Sequence, residues 1–258
     1  MNIENFEKAQ GHWILARMGK KVLRPGGKEL TKKMIEALSI KSNDDVVEFA
    51  PGLGFTANLV LNNKPCSYVG VDADHDAIEH LRGKVCGPNC TFIMGNASKT
   101  NLEDNSKDKV FGEAMLTMHA DHKKSEIIRE AHRILKKGGL YAIHEIGLTP
   151  NNMDEDTKTE VQRDLAQSIR VNARPLTETE WRSLLEKEGF SIKQVITNPM
   201  LLLERKRMID DEGLMGYLKI SFNILTHPKA KKRILAMRNV FHKHQKQMNA
   251  ISIIAQKN

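Results

Sequence analysis

The chain has 258 residues, 40% of them hydrophobic, and carries a net charge of +8 with a pI near 9.3. That supplies apolar material for one large α/β domain with elaborations, and no run of about eighteen apolar residues offers a membrane-spanning helix. Three cysteines without framework spacing argue against a disulfide scaffold and suit a reducing, cytoplasmic setting. The start, Met1–Phe6, carries an acid and lacks an apolar signal core. The positive balance permits attraction to anionic small molecules, nucleic acid or lipid, and selects none of them.

Taken in chain order, residues 1–40 read as helices, with Leu30, Met34, Ala37 and Leu38 forming an apolar stripe at helical spacing. The basic, glycine-ended loop from Lys20 to Gly27 interrupts them. Arg24 and Lys21 in that loop either meet a ligand carboxylate or form a solvated basic turn. The stretch from Asp44 to Thr56 then reads as a short buried strand, a glycine turn and the start of a helix. Val46, Val47 and Phe49 suit a parallel strand buried on both faces. Gly52 and Gly54 let the backbone turn tightly and approach a ligand, and Thr56 is placed to cap the helix. A second strand, Tyr68–Asp72, ends on a carboxylate where nucleotide folds place the acid that binds ribose hydroxyls; Asp72 can also be read as a helix N-cap.

Gly52-Leu53-Gly54-Phe55-Thr56-Ala57 fits the G-x-G-x-x-G/A dinucleotide pattern. Glu48, beside the turn, points away from that cofactor. A carboxylate there repels a pyrophosphate and favours a ligand with an ammonium and a sulfonium, such as S-adenosylmethionine.

Strands are predicted near 45–49, 68–72, 91–95, 109–114 and 140–146, and helices near 56–62, 75–82 and 122–136. In the last helix Ile127, Ile128, Ala131, Ile134 and Leu135 form the buried stripe, with Gly138 as a left-handed cap. The alternation predicts a parallel sheet with helices on both faces. Residues 147–175 read as an insertion, acidic and then helical, with Val161, Leu165 and Ile169 on one face. Thr177 with Glu180 makes a capping box, and Leu176 with Trp181 a hydrophobic staple. Strands follow at Ser191–Ile196 and Asn249–Ala255.

Between those strands, residues 204–247 are basic, and 229–246 are amphipathic through Ile234, Met237 and Phe241. Such a segment can lie on a membrane or bind nucleic acid; more commonly it packs one face on its own domain. Cys86-Gly87-Pro88-Asn89-Cys90 lacks the spacing of a zinc pair and reads as a plain turn, so no metal site is expected.

Four stretches together resemble the class I S-adenosylmethionine-dependent methyltransferases: Val47–Gly54, Gly70-Val71-Asp72, Phe92–Ala97 and Arg133–Gly139, which stand in the family's order across residues 44–146. The core resembles the branch that includes quinone and natural-product methyltransferases. The resemblance implies a Rossmann-like sheet, mostly parallel with an antiparallel last strand. It also implies helical cover segments at 1–40, 147–175 and 204–247 within one domain spanning 1–258. S-adenosyl-L-methionine is the implied cofactor. Ala50 stands where the family has its first glycine, which alanine replaces readily if the backbone there stays in an ordinary region. Asn96 stands where the family often has an aspartate that meets the adenine amine.

In open α/β sheets the ligand lies outside the carboxyl ends of the strands. That rule and the resemblance select Glu48, Ala50, Gly52, Gly54, Asp72, Ala73, Asn96, Ala97, Glu113 and Met115 for the cofactor, with Ala73 and Met94 flanking the adenine. His119, His144 and Glu145 are the polar groups expected nearest the methyl and the candidates for a general base, although His119 also suits a solvated loop and His144 a satisfied core. Arg24, Asn172 and Arg174 are candidates for orienting the acceptor. The fourth strand ends Phe111–His119 without the Asn/Asp-Pro-Pro-aromatic element of amino-methylating enzymes of nucleic acid. The expected acceptor is therefore a small molecule methylated at O, N, S or C. The alternatives are a nucleic-acid methyltransferase using the basic insertion, and a cofactor-binding partner protein without turnover.

Overall fold

The structure, a computed structural model, describes residues 6–85, 87 and 89–258. The turn Cys86–Cys90 therefore lies partly outside the described residues, as does the start of the chain.

The strands are β1 Asp45–Phe49, β2 Ser67–Asp72, β3 Cys90–Met94, β4 Lys107–Glu113, β5 Leu135–Leu148, β6 Leu176–Thr177, β7 Phe190–Pro199 and β8 Met248–Lys257. The helices are α1 Gly11–Arg17, α2 Gly27–Leu38, α3 Phe55–Leu61, α4 His75–Lys84, α5 Asp121–Ile134, α6 Glu155–Ile169, α7 Glu178–Lys187, α8 Arg205–Thr226 and α9 Pro228–Lys243. Across the sheet the order is β3-β2-β1-β4-β5-β8-β7. The first five of these run parallel, and β8 is antiparallel to both β5 and β7. This is the Rossmann-like arrangement of class I methyltransferases.

Neighbouring strand residues serve opposite faces, as the pleat requires. Val46, Tyr68, Phe111 and Ala142 pack with α2, α3 and α4, whereas Val47, Val71, Val110 and Ile143 pack with α5 and α7. A third cluster joins α1, α6, α8 and α9 to Ile146 and Leu148 at the far end of β5. The chain leaves β1 towards β2 on one side and returns at β4 on the other, so the crevice between their carboxyl ends is the switch point where such sheets bind ligands.

Two local readings change. Helix α5 ends at Ile134, four residues before Gly138. Its last carbonyls, on Arg133 and Ile134, accept from the N–H groups of Asn105 and Ser106 at 3.0 and 2.9 Å, which fixes the stop. Gly138, with φ +77°, turns within a bulge of β5 between Leu135 and Leu140. The second change is β6, which pairs with Gly147 and Leu148 of β5 just ahead of α7. The Thr177–Glu180 capping box is present on both sides, and Trp181 is fully buried.

Candidate active site

A cavity of about 660 Å³ opens at the carboxyl ends of the parallel strands. Its floor is Ala50–Leu53 after β1, Val71–Asp74 after β2, Gly95–Ala97 after β3 and Glu113–Met115 after β4. His12, Trp13, Lys21, Leu23 and Arg24 wall it from the N-terminal side, and Met118, His119 and Asn172 from the other.

Asp72 is held by the turn it faces. Its Oδ2 accepts from the Gly52 amide at 3.1 Å and its Oδ1 from the Asp74 amide at 3.0 Å. Asp74, not Asp72, caps α4, accepting from the Ala77 amide at 3.1 Å. Burial raises the Asp72 carboxyl, and the backbone donors oppose the rise. Gly52 has φ +56°, and a Cβ there would meet only the Ala50 carbonyl oxygen, 4.0 Å away. This leaves an open cradle beside a carboxylate, which fits a ribose with its hydroxyls on Asp72.

Gly54 serves packing instead. A Cβ on it would stand 2.7 Å from both Leu81 and Val85, and the residue does not line the cavity. Ala50 departs from the expectation of ordinary backbone, since its φ is +54°. A left-handed alanine costs about 1–2 kcal/mol, and a glycine gives back roughly 0.4–1 kcal/mol through the unfolded chain. Ala50→Gly is therefore expected to stabilise the protein by up to about 1 kcal/mol in urea unfolding, and a clear loss of stability would contradict this.

Glu48 does not meet the cofactor site. It is buried, accepts from the Tyr68 hydroxyl, and burial pushes its carboxyl up to about 8. A neutral group behind the turn cannot repel a pyrophosphate, so the electrostatic reason for preferring S-adenosylmethionine over a dinucleotide does not hold. Asn96 lines the cavity, but its Oδ1 already accepts from the Ser98 amide and hydroxyl, both at 3.0 Å. An adenine amine would be a third donor there. Met94 is exposed and outside the cavity, where Gly95 takes its place.

Glu113 is the hub of a buried cluster. Its Oε2 receives Arg24 and Thr56, and its Oε1 receives the Thr31 hydroxyl and His144 Nδ1, each at 2.6 Å. His144 Nε2 lies 2.6 Å from the Pro25 carbonyl oxygen. Burial alone would raise the Glu113 carboxyl; the Arg24 guanidinium and the His144 bond outweigh it and hold it at about 2. His144 faces an acceptor through each ring nitrogen and is fully buried, so it cannot act as the base. Glu145 is also fully buried. It accepts from the amides of Met115, Leu116 and Thr117 at 3.0, 2.8 and 3.0 Å, and from the Thr117 hydroxyl at 2.7 Å. It shapes the wall that carries Met118 and His119; it does not line the cofactor cavity but borders a smaller pocket beside it. Arg174 is exposed and outside the cavity, whereas Asn172 lines it. Arg24 lines it too, with Nε and Nη2 not engaged among the described residues.

Two histidines remain at the wall, His119 and His12. Burial lowers both, with Lys123 adding to the effect at His119, while His12 falls to about 4 despite the opposing charge of Asp74. Both are neutral imidazoles at neutral pH. His12 carries no motif; only the placement of α1 by the third core cluster brings it here. It also borders a smaller apolar pocket, about 60 Å³, lined by Leu15, Ile146, Met200, Leu202, Met237 and Phe241.

The fold and this crevice define a nucleotide-type cofactor site at the end of a parallel sheet. Residues 46–139 match the family model described as "Methyltransferase domain". An uncharacterized protein of Haemophilus influenzae is 33% identical over 96% of this chain and 98% of its own. The uncharacterized methyltransferase sll0829 of Synechocystis is 26% identical over 70% of this chain and 83% of its own. Among solved structures, phosphoethanolamine N-methyltransferase 2 of Haemonchus contortus, in complex with S-adenosyl-L-methionine, is similar with a TM-score of 0.70, at 17% identity over 96% of this chain and 56% of that one. The chain belongs to the class I S-adenosylmethionine-dependent methyltransferases. S-adenosyl-L-methionine is its cofactor and a methyl acceptor its second substrate.

Proposed function

We propose that the acceptor is a small molecule, held between the N-terminal segment and the Met115–His119 wall with an apolar end in the side pocket. The observation that carries this reading is the way the cavity is walled. Residues 20–28 cross its mouth and are fixed at both ends. Arg24 and Pro25 are tied to Glu113 and His144. Lys20 pairs with Asp211 at 3.5 Å, fully buried, and the amides of Lys21, Val22 and Lys28 donate to Glu212 and Asp211 at 2.8–2.9 Å. A segment pinned in this way narrows the approach for a polynucleotide and leaves room for a compact acceptor. The N-terminal segment, residues 147–175 and the helices of 204–247 then act as covers around one catalytic domain.

Bound S-adenosylmethionine supplies an electrophilic methyl, which the acceptor's lone pair takes in line with the departing sulfur. Arg24 offers its free nitrogens to a carboxylate, and Asp72 accepts the ribose hydroxyls. Leu23 and Met118 exclude water. For an acceptor that must lose a proton, His119 or His12 receives it.

Replacing the true base by alanine is expected to lower the turnover rate about 100-fold with cofactor affinity unchanged. Because both imidazoles are depressed below 6.5, the base form persists through neutral pH, and the rate falls only on further acidification. Near-native rates and pH profiles in both His12→Ala and His119→Ala would leave catalysis to positioning alone. The acceptor class is tested with S-adenosylmethionine carrying a labelled methyl, offered a panel of small lipophilic alcohols, thiols and amines beside bulk RNA. Label on a small molecule is expected. Label on RNA, with affinity falling steeply in salt, would establish the nucleic-acid alternative.

A further inference from the structure

Among the described residues, the large hydrophobic side chains left exposed fall almost entirely on α8 and α9. Leu214, Met215, Leu218, Phe222 and Leu225 of α8 are 51–78% exposed, and Leu235 of α9 is 45% exposed. Leu214, Leu218, Phe222 and Leu225 follow at steps of four, four and three residues, which makes a single stripe along the helix. The helix does not lack a core face: Tyr217, Ile220 and Ile224 pack inward on the third cluster. The stripe begins immediately after Gly213, where the backbone leaves helical geometry (φ 75°, ψ 165°).

From Gly213 onward the sequence carries charge of one sign, and the exposed Asp210 precedes the stripe. No acidic residue follows Glu212 in the sequence. Asp211 and Glu212 themselves are turned inward onto residues 20–28. Lys219, Lys229, Lys231 and Lys232 are exposed and make no ion pair with a described residue. The remaining arginines and lysine of α9 are engaged: Arg233 donates to the carbonyls of Phe6, Glu7 and Ser168, Arg238 to Glu204, and Lys243 to Glu160 and Asp164.

We infer that this face of α8 and α9 docks on an anionic lipid surface, with the Leu214–Leu225 stripe entering the headgroup boundary and the lysines meeting lipid phosphates. An apolar stripe flanked by unpaired lysines is the composition of interfacial helices. A second copy of the chain fits less well. A two-fold pairing centred on the stripe would set Lys219 against its own copy near the axis. Because α8 also holds residues 20–28 across the cavity, the docked face lies on the element that fixes the cover.

The test is co-sedimentation of the full chain with vesicles of equal parts phosphatidylcholine and phosphatidylglycerol, and with vesicles of phosphatidylcholine alone. The native protein is expected to sediment with the mixed vesicles, far less with the neutral ones, and progressively less as salt is added. The Leu218→Glu/Phe222→Glu variant should bind the mixed vesicles about tenfold or more weakly while retaining native affinity for S-adenosylhomocysteine, which reports an intact fold. Lys229→Glu with Lys231→Glu and Lys232→Glu should abolish the preference for phosphatidylglycerol. No sedimentation with mixed vesicles, or undiminished binding by the Leu218/Phe222 variant, would overturn the inference. So would a native dimer that ignores vesicles and that this variant makes monomeric, since a second copy would then cover the stripe.

Discussion

Glu113→Ala is expected to cost about 3–5 kcal/mol of stability, the usual penalty for removing one partner of a buried charged cluster. The variant strands Arg24, 9% exposed, and His144, fully buried, with Thr31 and Thr56 losing their acceptor as well. It also releases the contact between residues 24–25 and the strand ends, so cofactor affinity should fall with stability. Urea unfolding at neutral pH measures the first effect, and a loss under about 1 kcal/mol would show that the cluster is dispensable. The pH dependence has a defined sense. A carboxyl whose folded value is depressed to about 2 contributes fully above its ordinary value of 4.5, and that contribution is lost as the pH falls from there through about 2. Glu113→Gln should therefore be less stable at neutral pH and show a flatter acid limb than the native protein.

Asp72→Ala is expected to weaken S-adenosylmethionine binding by about 3 kcal/mol, roughly 100-fold, for two hydrogen bonds to a charged acceptor. The fold should survive, because Asp74 supplies the cap of α4 and Asp72 holds backbone amides of its own turn and of Gly52. Titration calorimetry with S-adenosylhomocysteine separates the outcomes. Unchanged affinity would remove Asp72 from the ribose site, whatever the cavity's shape.

The sheet and its cofactor end were legible because apolar runs and glycine turns recur in a fixed order, and each run is short, β-branched and bounded by turn residues. Asp72 was legible for the same reason: the last residue of a parallel strand faces the ligand end in any register. Side-chain direction was not. Glu113 and His144 are cross-strand partners in the β4–β5 register, and they bond to each other and to residues 24–31, between 82 and 119 positions earlier in the chain. Glu145 points under the Met115–Thr117 turn, and Glu48 under the glycine turn to Tyr68. Their residue types announced chemistry while tertiary contacts decided their use. His12 shows the converse, a wall residue with no pattern around it, since its place depends on α1 packing against α6 and α9. The apolar stripe of α8 is not legible in the sequence because Tyr217, Ile220 and Ile224 make the helix apolar on its inner face as well, which blurs the periodicity.

The most direct measurement is a crystal structure of the protein with S-adenosylhomocysteine. The ribose hydroxyls are expected on the Asp72 carboxylate, with the ligand passing over Gly52 and its sulfur directed at the space between Arg24, Met118 and His119. A ligand that leaves Asp72 without a contact, or whose sulfur points away from the His12 and His119 wall, would contradict that placement.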